Sequence, residues 1–201
     1  IRIGITQGES KGISPEIIAK TIDAFSEDRT TELHIIADKT VIIEIRNNSK
    51  SNLKHIVFEE PRYKEIPENI SKSKELSCIY WAVKLCTNHE IDAIVTAPVD
   101  KHLIAEKYPD FSGHTGFLKE ILNANNVLML MTTPSLKVGI MTEHLPLNQV
   151  SRNISKEKII NSVKLLHDYL IVNKQNPSIG VLALNPHAGD SGLLGTEELE
   201  V

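Results

Sequence analysis

An α/β fold with a mostly parallel sheet is what this sequence predicts. Short runs rich in Ile, Val and Leu recur along the chain, and most are followed by a turn and then a helical pattern. That rhythm marks βα units, and near-continuous apolar runs are what strands buried on both faces of a parallel sheet require. The composition agrees: 201 residues at 41% hydrophobic and 24% charged exclude a disordered, collagen-like or coiled-coil chain. A chain of this length can bury roughly 70% of its extended surface.

The strands are expected at residues 1–6, 33–37, 55–58, 91–96, 127–131, 138–141 and 179–184. Between the first two, Ile17, Ile18, Thr21, Ile22 and Phe25 repeat with helical spacing. Ser14 is placed to cap that helix, Pro15 suits its first turn, and Glu16 complements the positive end of the dipole. Residues 59–74 are polar, contain Pro61 and Pro67, and lack periodicity, so they read as a surface excursion. Leu76, Ile79, Tyr80, Val83 and Cys86 then form one apolar stripe, and Ile159, Ile160, Val163, Leu166 and Leu170 form another. Each stripe is most simply a core face. No Gly/Ser linker marks a domain boundary, but the rhythm changes across residues 97–113, which suggests a crossing between a first α/β domain, 1–97, and a second, 98–201.

Cys78 and Cys86 stand eight positions apart on one predicted helix, about 12 Å at the helical rise, too far to bond to each other. With no other cysteine and no apolar run of about 18 residues, a reducing, cytoplasmic setting is expected. The formal charge of −4, with no basic block, argues against a dedicated nucleic-acid or membrane-surface role.

Ligands of open α/β sheets collect beyond the carboxyl ends of the strands, so the loops that follow strands are where chemistry is expected. Residues 6–16 carry Gly8 and Gly12 ahead of a helix but do not match the G-x-G-x-x-G fingerprint. Their free backbone N–H groups suit an anion, and a tight turn explains the glycines equally well. After the apolar run 91–95, Thr96 and Lys101 offer a hydroxyl and a cation to a carboxylate or phosphate, or simply to water. His114 and Thr115, between Gly113 and Gly116, supply polar groups where a backbone can approach closely; a helix cap is the plainer alternative. His144 and His187 each lie a few residues beyond an apolar run, with Pro146 and Pro186 stiffening their loops. Two such imidazoles suggest a divalent metal, although a catalytic site usually has three protein ligands and two surface histidines would look the same.

Taken in order, residues 6–16, 96–101, Gly113-His114-Thr115, His144-Leu145-Pro146-Leu147, Asn185-Pro186-His187-Ala188-Gly189 and Gly195-Thr196-Glu197-Glu198 resemble the 4-hydroxythreonine-4-phosphate dehydrogenase family of vitamin B6 biosynthesis. Ser10, Lys11, Ser14 and Ala97 depart from that family's usual residues. The resemblance implies a two-domain α/β/α architecture similar to the isocitrate and isopropylmalate dehydrogenases, which is not a Rossmann fold. It also implies a homodimer with active sites at the interface, NAD or NADP as cofactor, and a divalent metal (zinc, magnesium, manganese or cobalt) held by three histidines. His144 and His187 match two of those ligands, and His114 with Thr115 matches the pair that contacts the phosphorylated substrate. The family's carboxyl-terminal third, with the remaining ligand, is expected to lie beyond Val201. No residue stands out as the proton-transferring base or as a nucleotide contact. A dehydrogenase of another phosphorylated hydroxy acid, such as phosphothreonate, and a non-catalytic metabolite binder are the alternatives.

Overall fold

The computed structural model describes residues 1–173 and 176–201, which form two compact units, Ile1–Asn123 and Ala124–Val201. The first runs β1 (Arg2–Thr6), α1 (Ser14–Ala24), β2 (Glu32–Ile36), α2 (Lys39–Asn48), β3 (Ile56–Glu59), α3 (Glu68–Ser71), α4 (Lys74–Thr87), β4 (Ala93–Thr96), α5 (Lys101–Ala105) and α6 (His114–Ile121). Its four strands make a wholly parallel sheet in the order β3-β2-β1-β4.

Strand pleating sorts the apolar residues onto two faces. Ile5, Leu33 and Ile35 pack with Ile18, Ile22, Val41 and Ile45 of α1 and α2. Ile36 turns the other way and meets Cys78, Trp81, Ala82 and Leu85 of α4. The result is helix, sheet, helix in three layers. Ile22, Ile35, Ile45 and Ile79 are fully buried, each contributing about 1.5–3 kcal/mol through the apolar area it removes from water. Gly4 faces α4, where a β-carbon would lie 2.5 Å from Ile91 Cδ1. A side chain there would have to displace the buried ends of the Ile91 and Ile36 side chains.

The four expected strands of this unit all form, with ends displaced by one or two residues. Ser14 does not cap α1: it is the first helical residue, and its hydroxyl donates to the Pro98 carbonyl at 2.9 Å instead. Residues 59–74 are more than a surface excursion, because Ile66 and Ile70 are buried. They join Leu76, Ile79, Ile104, Tyr108, Phe111 and Phe117 in a further apolar cluster, where the Tyr108 and Phe117 rings meet edge to face at 5.8 Å. This cluster is why the compact unit closes after Asn123 rather than after residue 97: residues 104–117 share a core with α4.

The second unit holds β5 (Met129–Thr132), β6 (Lys137–Ile140), α7 (Lys156–Val172) and α8 (Glu197–Glu200). β5 and β6 pair as an antiparallel hairpin, a local departure from the expected parallel pattern, since the four-residue connection from Thr133 to Leu136 is too short for a crossover. The run 179–184 forms no strand: Val181 is 57% and Leu182 91% exposed, and no neighbouring strand takes its backbone groups. Leu170 is the one buried apolar residue of this unit among the described residues. An open groove of about 960 Å³ runs past Leu136, Val138, Ile154, Ile159, Val163 and Leu166. Among the described residues no helix is long and apolar enough to cross a membrane.

Candidate functional site

At the carboxyl end of the parallel sheet the loops after β1 and β4 are locked together. Glu9 N–H donates to the Pro98 carbonyl at 2.8 Å, the same oxygen that accepts the Ser14 hydroxyl. Gly8 sits at φ +63°, and a β-carbon there would lie 2.5 Å from Pro98 O. The approach therefore requires glycine on both conformational and steric grounds. Beneath it Gln7 is fully buried; its N–H donates to Ile36 O at 3.0 Å and its Oε1 accepts Asp38 N–H at 2.8 Å, tying the end of β1 to the end of β2. Asp38 in turn accepts the Tyr63 hydroxyl and pairs with Lys74 Nζ at 2.5 Å. Among the described residues Gln7 Nε2 has no partner. Nothing in the local pattern marks Gln7; only its place at the end of an apolar run points to it.

A third loop joins the first unit's site through α5 and α6. Asp100 caps α5, its carboxylate accepting His102 N–H at 2.8 Å and Leu103 N–H at 3.3 Å. Lys101, the first residue of α5, lays its ammonium over the amino end of α6, where a β-carbon on Gly113 would stand 3.6 Å from Nζ. His114 opens α6 beside it, half-buried against the Phe111 ring at 6.1 Å, with Nε2 shielded from solvent and without a partner among the described residues. Burial, and then the Lys101 charge, hold the His114 imidazole below its ordinary value. Thr115 follows on the same turn, partly exposed. The structure thus brings Lys101 to Gly113 and His114, a convergence of two loops that spacing alone left open.

The His114 shift has a stability consequence. Because its folded pKa lies below the unfolded 6.5, the folded state binds a proton less readily than the unfolded chain. The contribution is therefore present above that value and is lost as pH falls through the folded value. Urea midpoints compared at pH 7.5 and pH 5 are expected to fall less for His114→Gln than for the parent chain; equal losses would contradict this.

His144 and His187 lie on separate loops of the second unit, both exposed and both at positive φ, +54° and +52°. Glu143 Oε2, one residue before His144, is buried without a partner among the described residues. Imidazole and carboxylate are donors of a suitable kind for a divalent ion. Yet among the described residues no three His, Cys, Asp or Glu side chains come together as a metal-holding group. The donor types fit, the set is short of a full shell, and no chemical step is routed through an ion here.

A parallel sheet with polar loops locked together beyond its strand ends places the chain among the α/β proteins that gather ligands at that edge. More narrowly, the chain belongs to the pyridoxal phosphate biosynthetic protein PdxA family, whose model matches residues 11–201. It is 32% identical over 99% of its length to a 4-hydroxythreonine-4-phosphate dehydrogenase of Vibrio parahaemolyticus, covering 66% of that protein. It is 33% identical over its whole length to one of Bacteroides thetaiotaomicron, covering 61%. The chain thus spans less than two thirds of the length of these relatives. A crystal structure of a 4-hydroxythreonine-4-phosphate dehydrogenase from Burkholderia phymatum superposes with a TM-score of 0.79 at 24% identity, over 99% of this chain and 67% of that one. A terephthalate 1,2-cis-dihydrodiol dehydrogenase from Burkholderia xenovorans superposes at 0.68 with 16% identity, over 100% of this chain and 67% of that one. These likenesses show the fold, and the second shows it on a protein named for a different substrate.

Proposed function

We propose that the chain carries the substrate loops of a nicotinamide-dependent dehydrogenase acting on 4-phosphooxy-L-threonine. Oxidation of the secondary alcohol gives a β-keto acid, which loses CO₂ to leave 3-amino-2-oxopropyl phosphate. The supporting observation is the match along 99% of the chain to relatives that bear this activity in their names. The two-domain arrangement similar to the isocitrate dehydrogenases, and a homodimer with shared active sites, belong to the same proposal.

Lys101, His114 and Thr115 would bind and orient the substrate's phosphate or carboxylate. The Lys101 ammonium supplies a charge-assisted hydrogen bond, the His114 imidazole, held uncharged by burial and the Lys101 charge, supplies a polar ring, and the Thr115 hydroxyl can donate or accept. Their catalytic contribution is orientation, holding the reacting alcohol in one pose. Gln7 and the Gly8 turn tie the neighbouring loop to the end of β2 and to the loop after β4. His144 and His187 are the proposed donors to zinc, magnesium, manganese or cobalt. When bound, the ion would polarise the alcohol oxygen, and NAD or NADP would accept the hydride.

With 4-phosphooxy-L-threonine, NAD or NADP and a divalent ion, a protein with the complete metal shell is expected to produce reduced nicotinamide, followed by absorbance, and a chelator is expected to stop it; the 201-residue chain alone, whose donors fall short of that shell among the described residues, is expected to produce little or none. Turnover of phosphothreonate alone would move the substrate assignment. Calorimetric binding without turnover would leave a metabolite binder, and no binding of either compound would overturn the reading.

A further inference from the structure

The Gly195–Glu198 segment has no role in the substrate loops, yet it folds back onto the chain that leads into His187. Glu198 Oε1 accepts Asn185 N–H at 2.7 Å, and Glu198 Oε2 accepts Asn185 Nδ2 at 2.9 Å. Glu197 Oε2 takes Nδ2 as well, at 2.7 Å. The Asn185 amide hydrogen bonds hold the Glu198 carboxyl below its usual range, so it stays an anion and a constant acceptor.

Two residues further on, the backbone does something rare. His187, Ala188, Gly189, Asp190 and Ser191 all take left-handed angles, at φ 52°, 52°, 80°, 46° and 57°. Only Gly189 adopts that region without steric cost, so the surroundings must over-determine the other four. On the far side, Leu193 N–H donates to Asp190 O at 3.2 Å and Leu194 N–H to Gly189 O at 2.9 Å. On the near side the clamp at Asn185 is what fixes the chain. Two glycines let the parts touch: a β-carbon on Gly189 would strike Gly195 O, and one on Gly195 would lie 2.5 Å from Asn185 Nδ2.

We propose that Glu198, acting through Asn185, is a positioning residue for His187. Its carboxylate pins the start of the left-handed run and so sets the backbone from which the imidazole projects. The inference rests on His187 being a working residue of the proposed site, and its test separates the two ideas.

In the full 201-residue chain, Glu198→Ala is expected to speed amide exchange at Leu193 and Leu194 at least tenfold and to shift the His187 ring resonances. Glu198→Gln keeps one acceptor for Asn185 N–H and is expected to restore most of both. Titration with Co²⁺, followed by broadening of the His187 ring signals, is expected to need about tenfold more ion in Glu198→Ala than in the parent chain. If the parent's His187 signals ignore Co²⁺, the ligand role of His187 fails while the exchange rates still decide the clamp. If Glu198→Ala unfolds the whole second unit, the decision passes to Glu198→Gln, whose near-native ring shifts support the clamp. Parent-like exchange and ring shifts in Glu198→Ala, or no recovery in Glu198→Gln, overturn it.

Discussion

Gly8→Ala is expected to destabilise the first unit by about 2–5 kcal/mol, summing the penalty for an L-residue at positive φ and that for overpacking a tight contact. Position 8 combines both faults. Its φ of +63° disfavours any side chain, and the added carbon would meet Pro98 O at 2.5 Å, Ser14 Oγ at 2.6 Å and Ala97 Cβ at 2.8 Å. Two of those three atoms are backbone or sit directly on it, so no rotamer change relieves the clash. Relief would require parting the β1 loop from the β4 loop and breaking the Glu9 to Pro98 hydrogen bond. Gly12→Ala is the control, because its nearest contact would be Glu9 Cγ at 3.4 Å, the flexible part of a side chain. Urea denaturation of both variants checks the argument; a cost at Gly8 no larger than at Gly12 would refute it.

Lys101→Met is expected to weaken binding of a phosphorylated substrate about 10- to 100-fold. A hydrogen bond from a charged donor contributes about 1.5–3 kcal/mol, and each 1.4 kcal/mol is a factor of ten. Methionine keeps much of the stem's length while removing the charge. The substitution carries a second, independent signature, since the Lys101 charge is one of the two causes depressing the His114 pKa. Without it the imidazole should titrate at higher pH, leaving burial as the remaining cause. Calorimetry with 4-phosphooxy-L-threonine reads the first effect, and the pH dependence of the His114 ring resonances reads the second. An unchanged affinity would remove Lys101 from the site; a displaced imidazole titration alone would leave it a neighbour rather than a contact.

The parallel sheet was legible because its central strands, β1 and β2, are largely buried and therefore stand out as apolar runs. Ile3, Ile5, Leu33, Ile35 and Ile36 announce it without any help from tertiary context. The run 179–184 has the same lettering and forms no strand, because a strand needs a neighbour and composition cannot say whether one is present. The first compact unit extends to Asn123 for a related reason. Ile104, Tyr108, Phe111 and Phe117 belong to whichever layer they touch, and that is settled by contacts with Ile66 and Leu76 far away in sequence. Ser14 carried a capping signature, but a long-range carbonyl claimed its hydroxyl.

The candidate site was legible in its loops and less so in its geometry. Strand ends drew attention to Lys101, His114, His144 and His187, yet only coordinates bring Lys101 to His114. Gln7 and Glu143 declare themselves through buried atoms lacking partners, a property that has no sequence signature. The left-handed path through His187 was equally hidden, since Ala188 and Ser191 are not residues that usually adopt it.

With Leu170 the solitary apolar side chain sealed from solvent among the described residues from Ala124 to Val201, the driving force for collapse is distributed very unevenly along this polypeptide. Cooperativity follows the same division. The amino-terminal layers can melt as one body, whereas the hairpin and its long helix have little water-exclusion energy to hold them in a single arrangement. A sequence of average hydrophobicity can thus hold one well-anchored body and one weakly anchored one, and a single melting temperature would describe neither.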